Sequence, residues 1–452
     1  MEIKIYNTSS RKIETFEPLK KGVVSMYHCG PTVYDTPHIG NYRTFIFYDL
    51  VRRLFEYNGY KIAQAMNITD VDDKTIKRSR EEAVDLKTLT SKYEKMFLDG
   101  LDALNIKRPE HILRATEYVD EMIRIIGILL EKGVAYKTSD GIYLSIDKVP
   151  NYGALAHLDL SKSDQSQERI ANDEYDKENP RDFALWKFKT PDDGPVSWQT
   201  PFGEGRPGWH IECSAMSMKV LGETIDIHTG GVDLLFPHHT NEIAQSESVT
   251  GKQFVRYWMH GAFITVDGEK MAKSKRNFLK LEDLLEQSVS PLAYRYWSLT
   301  AHYRSPVNFT WEAIKAAQTA LIRMIGIFGT LPNGGVVNMS YKERFNECVN
   351  DDLNMPKAIA LSWELLKDPV VIDADKRSTL LDFDLVLGLR LDSSPKVASV
   401  EIPAEIQALA EARELARSEK DWQKADALRQ EIGNRGFVID DTPNGIVIRQ
   451  AD

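Results

Sequence analysis

VVSMYHCGPTVYDTPHIGNYRTFIFYDLVRRLFEYNGYKIAQAMNI occupies residues 23–68, and its pattern sets the architecture. The apolar run 23–28 stops at Cys29, and the Gly30-Pro31 breaker that follows predicts the end of a strand. Apolar residues then recur at helical spacing over 44–57 until Gly59, and 60–68 again reads as a strand. Strand, helix and strand make a parallel pair, with the helix amino end at the carboxyl edge of the sheet. Backbone N–H groups and the helix dipole favour an anionic phosphate there. His38-Ile39-Gly40-Asn41 falls at that point, and Gly40 lets backbone approach a ligand closely. Alone, this tetrapeptide reads by default as an ordinary turn histidine.

Outward from there, GWHIECSAMSMKVLGETIDIHTGGVDLLFPHHTNE, residues 208–242, reads as helix, strand, loop and helix. Cys213 lies in an apolar-periodic segment ending at Gly222, 224–228 alternates as a strand, and Gly230-Gly231 opens the turn before a helix expected over 236–243. On that helix His238 and Glu242, four residues apart, would face one side. The chain holds three cysteines, Cys29, Cys213 and Cys348, and no CxxC pair, so a metal site has to be assembled from distant segments. Strand ends gather on one edge of a parallel sheet, where Cys29, Cys213, His238 and Glu242 would make a Zn²⁺ shell. The same spacing also fits two buried thiols and a hydrogen-bonded core histidine.

The other segments supply context. In Asn67-Ile68-Thr69-Asp70-Val71-Asp72-Asp73-Lys74, Asp72 and Asp73 are expected to cap the next helix rather than hold Mg²⁺. A helix over 117–132 and a hairpin over 135–146 break the strand–helix rhythm, which marks 112–207 as an insertion. A further strand is expected over 253–260. Residues 263–266 and the Asp267-Gly268 turn then deliver Lys270-Met271-Ala272-Lys273-Ser274, whose two lysines by themselves fit plain solvated surface. Amphipathic helices are expected over 281–287, 291–300, 311–328 and 341–353, with Cys348 an inert core thiol. After a linker over 392–403 come helices over 404–419 and 421–432 and a hairpin over 437–449. Trp422, among charged residues, is placed either to stack a nucleic-acid base or to pin the two helices together.

With 452 residues, 42% hydrophobic and 27% charged, the chain supports several domains and contains no apolar run of the roughly 18 residues a membrane span needs. Nothing in 1–15 marks a signal peptide. Three unpaired cysteines suggest a reducing cytoplasm. The net charge of −10 points away from nucleic acid, although a local basic surface would not be visible in the total.

Taken in order, YHCGPTVYDTPHIGN, NITDVDDK, the 208–242 stretch and KMAKS resemble the cysteinyl-tRNA synthetase family, a class I aminoacyl-tRNA synthetase. The resemblance covers almost the whole chain, with long and specific motifs. It implies a multidomain protein whose α/β Rossmann-like catalytic core carries an insertion and is followed by an α-helical bundle and a small C-terminal α+β anticodon-binding module. The expected boundaries are 1–111 and 208–262 for the halves of the core, with 112–207 as the connective-peptide insertion. A KMSKS-type loop and stem-contact region follows over 263–310, then the bundle over 311–400 and the anticodon module over 401–452.

The family implies one Zn²⁺ per chain on Cys29, Cys213, His238 and Glu242, and Mg²⁺ arriving with ATP. His38, Asn41, Lys270 and Lys273 would be catalytic, and with Gly40 and Ser274 would bind ATP. Gly30, Thr69, Trp209, His228 and Asp233 would surround the amino acid, with Trp209 and His228 as walls, Asp233 on the ammonium and His239 in a supporting place. Arg417, Trp422, Asp426 and Asp441 would read the anticodon. The expected partners are tRNA(Cys), ATP and L-cysteine, for a cytoplasmic monomer.

Two positions depart from the family pattern. Asn41 stands where the strict signature has a second histidine, and it can donate a hydrogen bond but cannot become cationic. Ala272 lacks the hydroxyl of KMSKS, which is expected to cost loop closure about 1 kcal/mol and leave activity in place. A cysteine:amino-sugar ligase of the mycothiol type would share the zinc and adenylate chemistry but has no need of 404–450. A catalytically silent zinc- and RNA-binding paralogue is the remaining rival, supported only by Asn41 and Ala272.

Overall fold

The computed structural model describes residues 2–158, 181–271, 277–392, 403–442 and 445–450. Its centre is a five-stranded sheet, in spatial order Val255–Gly261, Ile225–Gly231, Val23–His28, Lys61–Ile68 and His111–Arg114, with every pairing parallel. From the central first strand, succeeding strands build outward to one side and then to the other. The strand order therefore reverses between Val23–His28 and Ile225–Gly231, and the crevice at their carboxyl ends is where this topology binds ligands. The second of these strands is buried along its whole length, as a strand covered on both faces must be.

The helix after the first strand runs Ile39–Tyr57, starting earlier than the apolar periodicity from 44 predicts. Capping explains the extension. His38 Nδ1 accepts from the Asn41 N–H at 3.2 Å, and Asn41 Oδ1 accepts from the His38 N–H at 3.1 Å, a reciprocal cap that fixes the helix start. Asp72 caps the helix Asp73–Glu81 as expected, accepting from Lys74 N–H at 2.8 Å. Asp73 instead pairs with Arg206 and with Lys187.

The edge strand His111–Arg114 crosses the expected 111/112 boundary. The insertion beyond it holds the helix Val119–Glu131 and a four-stranded antiparallel sheet of Ala135–Lys137, Gly141–Leu144, Phe183–Phe188 and Gly205–Pro207. Its Ile142, Leu144 and Trp186 share one apolar core with Ile211, Met216 and Trp258 of the catalytic half. The insertion is therefore packed onto that half rather than tethered to it.

The helical region departs further from expectation. Besides Met339–Asn350 it contains two helices the periodicity did not disclose, Met355–Lys367 and Asp373–Leu387. Residues 332–390 fall in the same compact unit as the catalytic sheet, not in a separate bundle over 311–400. A buried ion network supplies the reason. Asp49 Oδ2 accepts from Arg53 Nε and Arg295 Nη2, each at 2.6 Å, and Arg295 Nε donates to Leu387 O at 2.7 Å. Charges removed from water this completely need each other, so the helices carrying them are bound to one position.

The second compact unit comprises Arg323–Leu331 and Leu391–Asp452. Within it, Ala404–Ser418 and Trp422–Asn434 pack with an antiparallel hairpin of Phe437–Thr442 and Gly445–Gln450 around Ile406, Ala410, Ile432, Phe437 and Ile439. Among the described residues no helix is long and apolar enough to cross a membrane.

Candidate active site

Cys29 follows the first strand at its carboxyl end, and Cys213 lies on the helix Trp209–Leu221. Glu242 is in the first turn of Thr240–Thr250. That helix begins four residues later than predicted. Phe236, which precedes Pro237, is extended, at φ −139° and ψ 131°, and interrupts the helical path. His238 and Glu242 meet nonetheless, with Nε2 and Oε1 3.1 Å apart. The ligand atoms of Cys29, Cys213, His238 and Glu242 all lie within 4.8 Å of one another, and all four residues are buried. Two thiols, an imidazole and a carboxylate converging in a dry space fit a tetrahedral divalent ion.

The electrostatics of the four agree with that fit. Burial pushes the Cys29 thiol well up. Burial also raises Cys213, but hydrogen bonds from Cys29 and His238 override it and bring that thiol down to about 6. Burial disfavours charge on His238, yet Cys213 and Glu242 draw it up to about 10. Against its own desolvation, Glu242 is held at about 2 by His228 and His238. The lowered Cys213 and Glu242 favour the anionic forms that a cation would bind.

Two further histidines enter this cluster. His228, expected at the pocket wall, is wholly buried and stacked on Trp258 at 4.6 Å, with its Nε2 2.9 Å from Glu242 Oε2. It braces the Glu242 carboxylate from within the core. His239 Nε2 lies 3.3 Å from Cys29 Sγ, and its Nδ1 lies 2.8 Å from His260 Nε2. Cys29, His228, His239 and Glu242 form a second convergent set. The first set is the better metal shell because it has two sulfurs, while the His228 and His239 rings already brace Glu242 and Cys29.

Around the cluster, the Trp209 ring lies 4.4 Å from that of His238 and is 41% exposed, so it covers the site on the solvent side. Asp233 is exposed in the turn Val232–Leu234. Gly30 N–H donates to Asn67 Oδ1 at 2.7 Å, and a Cβ at Gly30 would fall 1.7 Å from Asn67 O. Only glycine fits this turn behind Cys29. Thr69 is buried and donates to Glu212 Oε2 at 2.7 Å. Burial pushes Glu212 well above the usual carboxylate range. The sequence pattern did not single out Glu212, Asn67 or His260, because each acts through a partner distant in sequence.

At the nucleotide end, His38 and Gly40 lie at the start of the Ile39–Tyr57 helix, and Asn41 is exposed there. Glu269–Lys270 returns antiparallel to Ile264–Val266, so the hairpin that carries Lys270 forms. A Cβ on Gly40 would come 2.9 Å from Met271 Cε, which puts this hairpin beside the helix start. Ala272, Lys273 and Ser274 lie outside the described residues.

The family model for the tRNA synthetases class I (C) catalytic domain matches residues 15–319, and that for the cysteinyl-tRNA ligase anticodon binding domain matches residues 399–449. Among curated proteins, a cysteine–tRNA ligase of Brachyspira hyodysenteriae is 43% identical, covering 98% of each chain. Cysteine–tRNA ligase 1 of Burkholderia lata is 44% identical, over 98% of this chain and 96% of the relative. The chain belongs to the cysteinyl-tRNA ligase family.

Solved structures agree on the fold. A methionyl-tRNA synthetase of Mycobacterium tuberculosis with methionyl-adenylate aligns at TM-score 0.58 and 15% identity, over 81% of this chain and 90% of the other. A leucyl synthetase–tRNA complex of Agrobacterium radiobacter gives 0.59 and 9%, over 83% and 84%. The mycothiol-type and silent-paralogue alternatives gain nothing from these matches. In the part of this family member that the anticodon-domain model covers, Trp422 is 60% exposed at the start of its helix, so it does not pin the helices together. Arg417 is partly buried with its Nη1 3.2 Å from Glu414, and Asp426 is exposed. The backbone of Asp441 lies in the strand Phe437–Thr442.

Proposed function

We propose that this chain activates L-cysteine with ATP to cysteinyl-adenylate and transfers the cysteinyl group to the 3′ end of tRNA(Cys) in the cytoplasm. The observation that carries the selection of cysteine is the convergence of Cys29, Cys213, His238 and Glu242 at the sheet's switch point. The donor set suits Zn²⁺, held by those four residues. Bound there, the ion would supply a Lewis acid that prefers a thiolate sulfur to a serine hydroxyl.

The protein's own groups account for the rest. His228 fixes one oxygen of Glu242 so that the other faces the cluster, and Trp209 limits solvent access over His238. Asp233, on the exposed turn beside the strand end, is assigned to the substrate ammonium. Thr69, oriented by Glu212, lines the amino-acid side. In the first step the cysteine carboxylate attacks the α-phosphate of ATP, and pyrophosphate leaves. His38 at the helix start, the Asn41 amide, Lys270 and Lys273 are assigned to the charge that develops on the phosphates, with Mg²⁺ accompanying ATP. The Asn41 carbonyl oxygen is engaged by the helix cap, so its Nδ2 is the group offered to phosphate. In the second step the terminal tRNA hydroxyl takes the acyl group and AMP leaves. Arg417, Trp422, Asp426 and Asp441 are assigned to the anticodon.

Cysteine-dependent ATP–pyrophosphate exchange, with serine as control and before and after zinc removal, tests this reading. Exchange indifferent to the amino acid supplied would refute zinc-based selection, and no exchange in zinc-replete protein would refute the activity.

A further inference from the structure

Arg43 is two residues beyond Asn41 and only 5% exposed. Its guanidinium donates to four backbone carbonyls: Nη1 to Ala262 O at 2.8 Å and Phe263 O at 2.9 Å, and Nη2 to Ser305 O at 2.7 Å and His302 O at 3.4 Å. Ala262 and Phe263 immediately precede Ile264–Val266, the outgoing strand of the hairpin that leads to Lys270. Phe278 and Leu279, further along the chain, are held by the same helix. Ile39 N–H donates to Leu279 O at 2.8 Å, and the His38 ring meets Phe278 edge-on at 4.9 Å. One turn beyond Arg43 and on the same face, Phe47 stacks on Tyr303 at 4.4 Å and 4°. The start of one helix thus grips the outgoing side of the Lys270 hairpin and, further along the chain, Phe278 and Leu279.

We propose that Arg43 is a positioning residue for the activation step, fixing the root of the Lys270 hairpin against the His38 end of the nucleotide site. This rests on the ligase activity proposed above. A planar guanidinium with five donors can serve four carbonyls at once, whereas an ammonium has three and a thioether none. None of the four ligand residues Cys29, Cys213, His238 and Glu242 lies on the segments that Arg43 bonds, so the loss of Arg43 falls on ATP and spares cysteine.

The experiment is pyrophosphate exchange on the full chain for the wild type, Arg43→Lys and Arg43→Met. Asn58→Ala serves as a stability control at the far end of the same helix, where Asn58 Nδ2 donates to Asn350 Oδ1 at 2.8 Å. Arg43→Met should raise the KM for ATP and slow adenylate formation by about tenfold or more, since a small misplacement of reacting groups is costly. The KM for cysteine and the bound zinc should not change. Arg43→Lys should fall between, and Asn58→Ala should lower Tm without altering either KM. An Arg43→Met protein that loses only Tm, or in which the ATP and cysteine parameters worsen together, overturns the proposal. If that variant does not fold, Arg43→Lys is judged by the same criteria. Absence of exchange in the wild type would strike the ligase reading itself, which is a separate failure.

Discussion

His228 Nε2 stands 2.9 Å from Glu242 Oε2, and both side chains are wholly buried. A hydrogen-bonded ligand carboxylate is held in orientation before any metal arrives. His228→Asn, which shortens that reach, should weaken zinc affinity by about 10–100-fold, whereas Cys213→Ala should abolish zinc retention on dialysis. Competition against a chromogenic chelator measures both. Equal affinity in His228→Asn and wild type would show that the contact does not orient the ligand.

Gly30→Ala should fail for a steric reason. The added Cβ would fall 1.7 Å from the Asn67 carbonyl oxygen, so the backbone behind Cys29 has to move. Zinc content and Tm should drop together. A variant that keeps full zinc stoichiometry would mean the turn can relax without displacing Cys29.

His28 and His260 are pushed down to about 3, chiefly by burial. Their folded values lie below the unfolded one, so folding favours the neutral ring. Their contribution to stability is complete above about pH 6.5 and is lost progressively as pH falls towards 3. Each proton steepens that loss by up to about 1.4 kcal/mol per pH unit. Urea unfolding of zinc-free protein between these limits should show the slope, and His260→Gln should reduce it. A slope unchanged in that variant would place the titration elsewhere.

Arg295→Met leaves Asp49 with one of its two buried cationic partners. Removing one member of a buried ion pair typically costs about 3–5 kcal/mol, and denaturant unfolding should register a loss of that order. A loss under about 1 kcal/mol would mean that Arg53 alone compensates the carboxylate.

Trp422 is 60% exposed, so Trp422→Ala should change stability by no more than about 0.5 kcal/mol. If the ring stacks an anticodon base, aminoacylation of tRNA should weaken while cysteine-dependent pyrophosphate exchange stays at the wild-type rate. A matched fall in both would place the residue in folding rather than in RNA recognition.

The sequence by itself determined the parallel strand–helix–strand unit of 23–68, which rests on local periodicity and on breakers at Gly30-Pro31 and Gly59. The meeting of Cys29, Cys213, His238 and Glu242 was legible only through the resemblance of long motifs to a family, because the four stand on segments far apart in the chain. Tertiary structure alone decided that His228 lies under Glu242, that Arg43 reaches carbonyls more than 200 residues away, and that 332–390 folds onto the catalytic sheet. Those outcomes depend on hydrogen bonds and buried charges between distant segments. No local pattern encodes them, because a carbonyl or a carboxylate acquires its partner only when the chain has closed around it.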